Sequence, residues 1–175
     1  IEQTPRSIKL FSVDIKNMYT SIPLERGTNV LVEFLRAYKN INGEKLTPDQ
    51  VISIESATKC CSRSNFITDK GRYYKQIKGT PMGARMSQPF ANIFIQNIED
   101  KINEEFKDAI KLYKRMQDDV ICVWQGTVQE FQDYKESMSK RGEEEGITFV
   151  FSELKDEVEY LDLKVSIHEG KIQTG

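Results

Sequence analysis

Two aspartates, Asp118 and Asp119, stand side by side in YKRMQDDVICVW (113–124), between two apolar runs. Aspartate bonds its own local backbone and so favours turns, which makes a solvated turn one explanation. The other is a bound cation that neutralises the pair. A third aspartate, Asp14, closes the otherwise apolar run SIKLFSVDI (7–15). There it is either a turn or N-cap acid, or a carboxylate facing a cleft at a strand end. If the first strand and the chain's two hairpins share one sheet, Asp14 and Asp118 meet at the strand ends. Carboxylates gathered in this way repel unless hard divalent cations lie between them, and Mg²⁺ prefers such oxygens. Two ions about 4 Å apart form the clamp used in phosphoryl transfer.

A third region, KGTPMGARMSQPFAN (78–92), sets two glycines and a proline between a hairpin and a helix. Such a loop lets backbone approach a flat or charged ligand closely, or simply connects strand to helix. It lacks the Lys-Ser/Thr of a Walker A loop and the third glycine of a dinucleotide fingerprint. Other chemistries find little support. His168 is the only histidine and lies in SIHEGKI, which reads as an exposed turn, so a zinc site or a histidine-based triad has no basis. Cys60, Cys61 and Cys122 form neither metal-ligand spacing nor an even disulfide set, which points to a reducing compartment.

The elements that must position these residues follow from pattern. The strand at 7–15 leads through Pro23 into a helix carrying Val30, Leu31, Phe34, Leu35 and Tyr38 on its inner face. KNINGEK (39–45) is a loop. Thr47-Pro48-Asp49-Gln50 opens a helix to about Cys61, with Thr as N-cap, Pro at N1 and Gln at N3. NFITDKGRYYKQI (65–77) is a hairpin turning at Asp69-Lys70-Gly71. A helix from about Ser87 gathers Phe90, Ile93, Phe94, Ile98, Ile102 and Phe106 on one face, with Pro89 in its first turn. Residues 109–124 read as strand, tight turn, strand. Thr127-Val128-Gln129-Glu130 caps a helix with Val128, Phe131, Tyr134 and Met138 inward. ITFVFS (147–152) and EYLDLKVSIHEGKIQT (159–174) are strands, the latter a hairpin turning at Glu169-Gly170. Mixed strands and helices, with the helices covering one sheet face, make an α+β architecture.

The chain has 175 residues, 38% of them hydrophobic and 30% charged, enough for one domain with a core. No apolar run approaches a bilayer span, so no membrane partner is expected. It begins in mid-phrase at IEQTPRSIK, without Met, and is read as part of a longer chain. A net charge of −2 argues against a free-standing nucleic-acid binder but not against an acidic catalytic module with basic partners elsewhere.

Taken in order, FSVDIKNMYTSIP, YYKQIKGTPMGARMSQPFANIFI, KRMQDDVICVW and ITFVFSELKDEVEYLDLKVSI resemble the palm motifs of a reverse transcriptase. The resemblance is to the Penelope-like retroelement group, which is related to telomerase, and it runs from about residue 8 to 167. It implies a polymerase palm, an antiparallel sheet with helices on one face, with fingers before residue 1 and a thumb after residue 175. The implied activity is RNA-directed DNA polymerisation on an RNA template with a DNA primer and dNTPs, and retroelement kinship implies a nuclear setting.

Residue roles follow from the same resemblance. Asp14, Asp118 and Asp119 would be catalytic. Asp14, Asp118 and the backbone carbonyl of Ile15 would ligate two Mg²⁺ ions, with Mn²⁺ as a substitute. Tyr19 would lie beneath the nucleotide sugar and exclude a 2′-hydroxyl, unless it is a core aromatic. Met82 and Gly83 would lie against the incoming nucleotide, with Gln76 and Arg85 as further nucleotide or template contacts. Arg115 would be structural, and Lys140 and Lys155 are both candidates to protonate pyrophosphate. Met116 and Gln117 depart from the aromatic and apolar residues usual before the paired acids, implying altered packing around the site, and Ser87-Gln88-Pro89 also varies the common phrase. The alternatives are a catalytically retired palm kept for RNA or protein binding, or a carboxylate-metal nuclease.

Overall fold

A computed structural model describes residues 7–168 and 171–175, and the Glu169-Gly170 turn expected above lies outside them. The chain divides into two compact units, one of residues 1–16 with 98–175 and one of residues 17–97.

The first unit is built on strand β1 (Lys9–Lys16). Its side chains alternate by the two-residue period of a strand: Phe11, Val13 and Ile15 are buried on one face, and Leu10, Ser12, Asp14 and Lys16 lie on the other. β1 pairs antiparallel with β5 (Asp119–Trp124), β5 with β4 (Ile110–Met116), and β1 with β6 (Thr148–Phe151), giving the order β4-β5-β1-β6. Helix α5 (Val128–Glu144) and the second half of α4 (Ser87–Glu105) cover the Phe11 face. Phe11 meets Trp124, Phe131 and Tyr134 with ring centroids 4.9 to 6.1 Å apart, and Phe106 joins through Tyr134 at 5.4 Å. The Tyr134 hydroxyl donates to Asn103 at 3.0 Å, tying the two helices together.

The opposite face is only partly covered. A second antiparallel sheet, β7 (Glu157–Tyr160), β8 (Leu163–His168) and β9 (Lys171–Thr174), places Val158 and Val165 on Leu10, Ile121 and Val123. A backbone bridge between Leu10 and Lys155 anchors it at 2.7 and 2.9 Å. Cover therefore sits at the Leu10 end of β1 and stops short of the Asp14 end.

In the second unit, α1 (Met18–Ser21) follows Asn17, which adopts a left-handed φ of 50°. α2 (Leu24–Ala37) and α3 (Pro48–Arg63) pack on each other. β2 (Phe66–Asp69) and β3 (Arg72–Lys75) form a separate two-stranded sheet. Gly27 of α2 faces Phe90 so closely that an added Cβ would come within 2.6 Å of its ring.

Several expectations hold. Both capping boxes form, with Thr47 bonded reciprocally to Gln50 and Thr127 to Glu130. The helix from Ser87 buries Phe90, Phe94, Ile98 and Ile102 as expected, and also Ile95. Others are corrected. Phe34 and Tyr38 stack on each other at the surface, and the inner face of α2 is Gly27, Thr28, Leu31 and Leu35 with Val30 and Val32. Val128, the first residue of α5, is exposed. The first strand shares its sheet with the β4–β5 hairpin but not with the β2–β3 hairpin. The Leu-Asp-Leu phrase is not continuous strand: Leu161 takes a positive φ of 55° and turns the chain between β7 and β8. His168 is exposed at the end of β8. No described helix is long and apolar enough to cross a membrane.

Candidate active site

Strand register brings two of the three aspartates together, and the third lies in the adjoining turn. Asp14 pairs with Asp119 across β1 and β5, and residues directly opposite in a sheet project to the same face. That face is the open one, shared with Ser12 and Lys16. The next step of the ladder sets Ile15 opposite Asp118: the Ile15 N–H donates to the Asp118 carbonyl at 2.9 Å. Ile15 itself is buried on the helix side, so its backbone locks the Asp118 turn to β1. Gln117 and Asp118 form the two-residue loop of the β4–β5 hairpin, with Gln117 at a φ of 58°. Met116 is 52% exposed on the edge strand. Gln117 is thus a turn residue, and Met116, opposite Asp119 in the register of β4 on β5, lies beside Asp119 on the face that carries the acids.

The electrostatics register the crowding. Desolvation and then the Asp118 and Asp14 charges push the Asp119 carboxyl above its ordinary range. The Lys16 ammonium forms an ion pair with Asp14, and that contact raises its own pKa. Asp14 thus already draws a cation on the open face. Among the described residues no group of three His, Cys, Asp or Glu side chains is arranged to hold a metal ion. Asp14 and Asp119 line an open cleft of about 300 Å³ with Ser12, Ser152, Glu159 and Tyr160, and Asp118 is not part of its lining. Glu159 and Tyr160 were missed in the sequence, since they reach the cleft only because of the turn at Leu161. Asp119 contributes to raising the Tyr160 hydroxyl, after desolvation.

Arg115 lies on the other face of β4, where it is 11% exposed. Its Nε donates to Glu99 Oε2 at 2.9 Å and its Nη1 to the Gln117 carbonyl at 3.1 Å. The Tyr113 hydroxyl donates to the second Glu99 oxygen at 2.8 Å. Burial pushes the Glu99 carboxyl up, and Arg115 and Tyr113 pull it back. Arg115 is thus structural, as the resemblance implies, and its contact reaches the residue before Asp118. Of the two lysines, Lys155 lines a groove of about 490 Å³ that shares Ser12, Ser152 and Glu159 with the cleft, whereas Lys140 is exposed on α5, the helix on the covered face.

The glycine loop belongs to the second unit and is built by close approach. Gly79 has a φ of +75°, and a Cβ there would stand 2.4 Å from the Thr20 Cα and 2.6 Å from the Tyr19 carbonyl. The Thr80 N–H donates to that carbonyl at 2.7 Å, and Ser87 Oγ donates to the Pro81 carbonyl at 2.6 Å. The loop is thereby pinned on α1 and presents Met82, 71% exposed, and Gly83, around which a Cβ would meet nothing within 4 Å. Tyr19 is partly buried, while its neighbour Met18 fills the core. Gln76 spends its amide on the Lys78 carbonyl at 2.9 Å, and Arg85 is exposed.

No protein-family model matches the sequence. No curated protein matches it. Solved structures do. The apo telomerase of Candida tropicalis, truncated from its C-terminal domain, is 14% identical with a TM-score of 0.60 over 96% of this chain and 35% of that one. Candida albicans telomerase in complex with a fragment of telomeric RNA is 15% identical with a TM-score of 0.67, over 95% and 31%. The BmCPV RNA-dependent RNA polymerase in its elongation state is 14% identical with a TM-score of 0.68, over 95% and 16%. The chain spans about a third or less of the length of each. Identity this low speaks to architecture and does not reach the finer Penelope-like assignment: the chain has the α+β fold of a nucleic-acid polymerase, an antiparallel palm-type sheet with helices on one face.

Proposed function

We propose that the chain is the palm of an RNA-directed DNA polymerase of the reverse-transcriptase type, with the Penelope-like group as its kin, and that Asp14, Asp118 and Asp119 are its catalytic carboxylates. The observation that carries the reading is the β1–β5 ladder, whose register sets Asp14 opposite Asp119 on the open face and whose next backbone bond, from the Ile15 N–H to the Asp118 carbonyl, holds the Asp118 turn at the same strand end. The four motifs in order and the polymerase fold support it.

The donor set suits Mg²⁺. This ion keeps several waters and takes one or two carboxylates plus substrate phosphates rather than a full protein cage, which suits the Asp14 and Asp119 oxygens on an open cleft. Asp14 and Asp118, with the Ile15 carbonyl, would hold two such ions, and Asp119 would support them near the primer end. Bound there, the ions would acidify the primer 3′-hydroxyl and steady the charge on departing pyrophosphate. The chain's own part is positioning: the β1–β5 ladder fixes the acids. The 3′-oxygen forms a bond to the α-phosphorus of a dNTP as the bond to the bridging oxygen breaks, and pyrophosphate leaves. Lys155, on the side of the cleft, is the better placed of the two lysines to protonate it.

The test is extension of a labelled DNA primer on an RNA template with Mg²⁺, by this chain joined to fingers and thumb segments and by its Asp118→Asn variant. The first is expected to extend and the second to give background only, while the isolated chain extends weakly or not at all. A shortened primer would favour a nuclease. Template–primer binding without extension by either protein would favour a retired palm.

A further inference from the structure

The β2–β3 hairpin has no obvious work inside the fold. Every residue of both strands is exposed, and no third strand joins them. A two-stranded ribbon of this kind is marginal by itself in water. Yet it carries large rings and aliphatic chains: Tyr73 is 81% exposed and Phe66 61%, with Ile67, Tyr74 and Ile77 also at the surface. Residues 65–78 also hold four cations, Lys70, Arg72, Lys75 and Lys78, against one acid, Asp69, in a chain whose net charge is −2. Among the described residues none of these four cations is ion-paired.

Register sorts these side chains. Phe66 pairs with Lys75 and Thr68 with Tyr73, so one face presents two rings and a cation with no acid. The other pairs Ile67 with Tyr74 and Asp69 with Arg72. Lys70 and Gly71, at φ 47° and 76°, turn the hairpin in the manner of a type I′ loop and hold Lys70 at its tip.

We infer that the Phe66–Tyr73–Lys75 face of this hairpin is a binding platform for single-stranded nucleic acid, its rings stacking on unpaired bases while Lys75 and the tip residue Lys70 meet the phosphates. Charge decides between occupants. An apolar protein surface laid on this face would have to desolvate the unpaired Lys75 ammonium, which is costly. A nucleic-acid strand supplies its counter-charge, and that of Lys70 at the tip, and releases condensed counterions. Exposed rings gain from bases that are already unstacked, which favours a single strand over a duplex. The proposal stands on the hairpin alone and is independent of the reading of the carboxylates.

The experiment is fluorescence anisotropy of a labelled single-stranded RNA of about 20 nucleotides, long enough for any one-domain site, with the 175-residue chain in EDTA and without nucleotide, across a salt series. Tyr73→Ala is expected to weaken binding about 5- to 100-fold, the loss of one base stack. The double variant Lys70→Gln, Lys75→Gln, which removes the tip cation and the cation on the ring face, is expected to flatten the slope of log affinity against log salt by about 1.4, from about 0.7 per phosphate contact. The replaced side chains are exposed, so unchanged melting temperatures verify the fold. Wild-type affinity and slope in both variants would overturn the proposal. So would an absence of RNA binding in a chain whose self-association is lost in Tyr73→Ala, which would assign the ribbon to a protein contact.

Discussion

Arg115→Ala is expected to destabilise the chain by about 3–5 kcal/mol, the cost of breaking a buried ion pair by removing one partner. Glu99 is 5% exposed and has two charged or polar partners, Arg115 and Tyr113. Without the guanidinium, its carboxylate must either remain charged in a poorly solvated site or take up a proton, and either is costly. The loss can be traced to that uncompensated charge. Arg115→Met combined with Glu99→Met replaces both partners with apolar side chains, and such double replacements are often close to neutral. Urea unfolding should therefore show a large loss for the single variant and recovery of most of it in the double one. A comparable loss in both would place the energy in packing instead. The double variant also separates folding from function, because it still lacks the bond from Arg115 Nη1 to the Gln117 carbonyl that steadies the Asp118 turn.

Gly79→Ala is the second large effect, expected to lower stability by about 2–5 kcal/mol. About 1–2 kcal/mol comes from placing an L-residue in the left-handed region. About 1–3 kcal/mol more comes from overpacking, since the atoms the new Cβ would strike at 2.4 and 2.6 Å are backbone of Thr20 and Tyr19 and cannot rotate away. Gly83→Ala is the internal control. It shares the positive φ, +87°, but meets nothing within 4 Å, so only the conformational cost remains. Thermal melts of the two variants test the claim that close approach to α1 is what demands glycine at 79. Equal losses at both positions would refute it.

The contrast between these glycines also shows what a sequence can carry. Both stand in the same phrase, and nothing in it tells which one has backbone pressed against it. Short-range chemistry was readable: Thr47 with Gln50 and Thr127 with Glu130 are complete within four residues, and both form. The apolar run SIKLFSVDI read as a strand ending at Asp14; it is a strand, and it continues to Lys16. What failed needed knowledge of a neighbour. Periodicity marks Phe34, Tyr38 and Val128 as face residues but does not say where cover ends. The Glu99–Arg115 pair joins residues sixteen positions apart on a helix and a strand. Leu161 has none of the usual turn composition, so the β7–β8 hairpin, and with it the place of Glu159 and Tyr160 in the cleft, was hidden. Gln117 looked like a fault in a packed motif, whereas it is a turn residue at positive φ.

The central claim is that Asp14, Asp118 and Asp119 form a divalent-cation site, and Mn²⁺ titration followed by electron paramagnetic resonance tests it most directly. Free and bound Mn²⁺ are distinguished in one spectrum, and no other domain, template or nucleotide is required. The account predicts that the wild-type chain binds Mn²⁺ and that Asp14→Asn and Asp118→Asn each weaken binding about tenfold or more, since even residues behind the ligands shift metal affinity by 10–100-fold. Equal Mn²⁺ binding by all three folded chains would contradict it and return the paired acids to the solvated-turn reading.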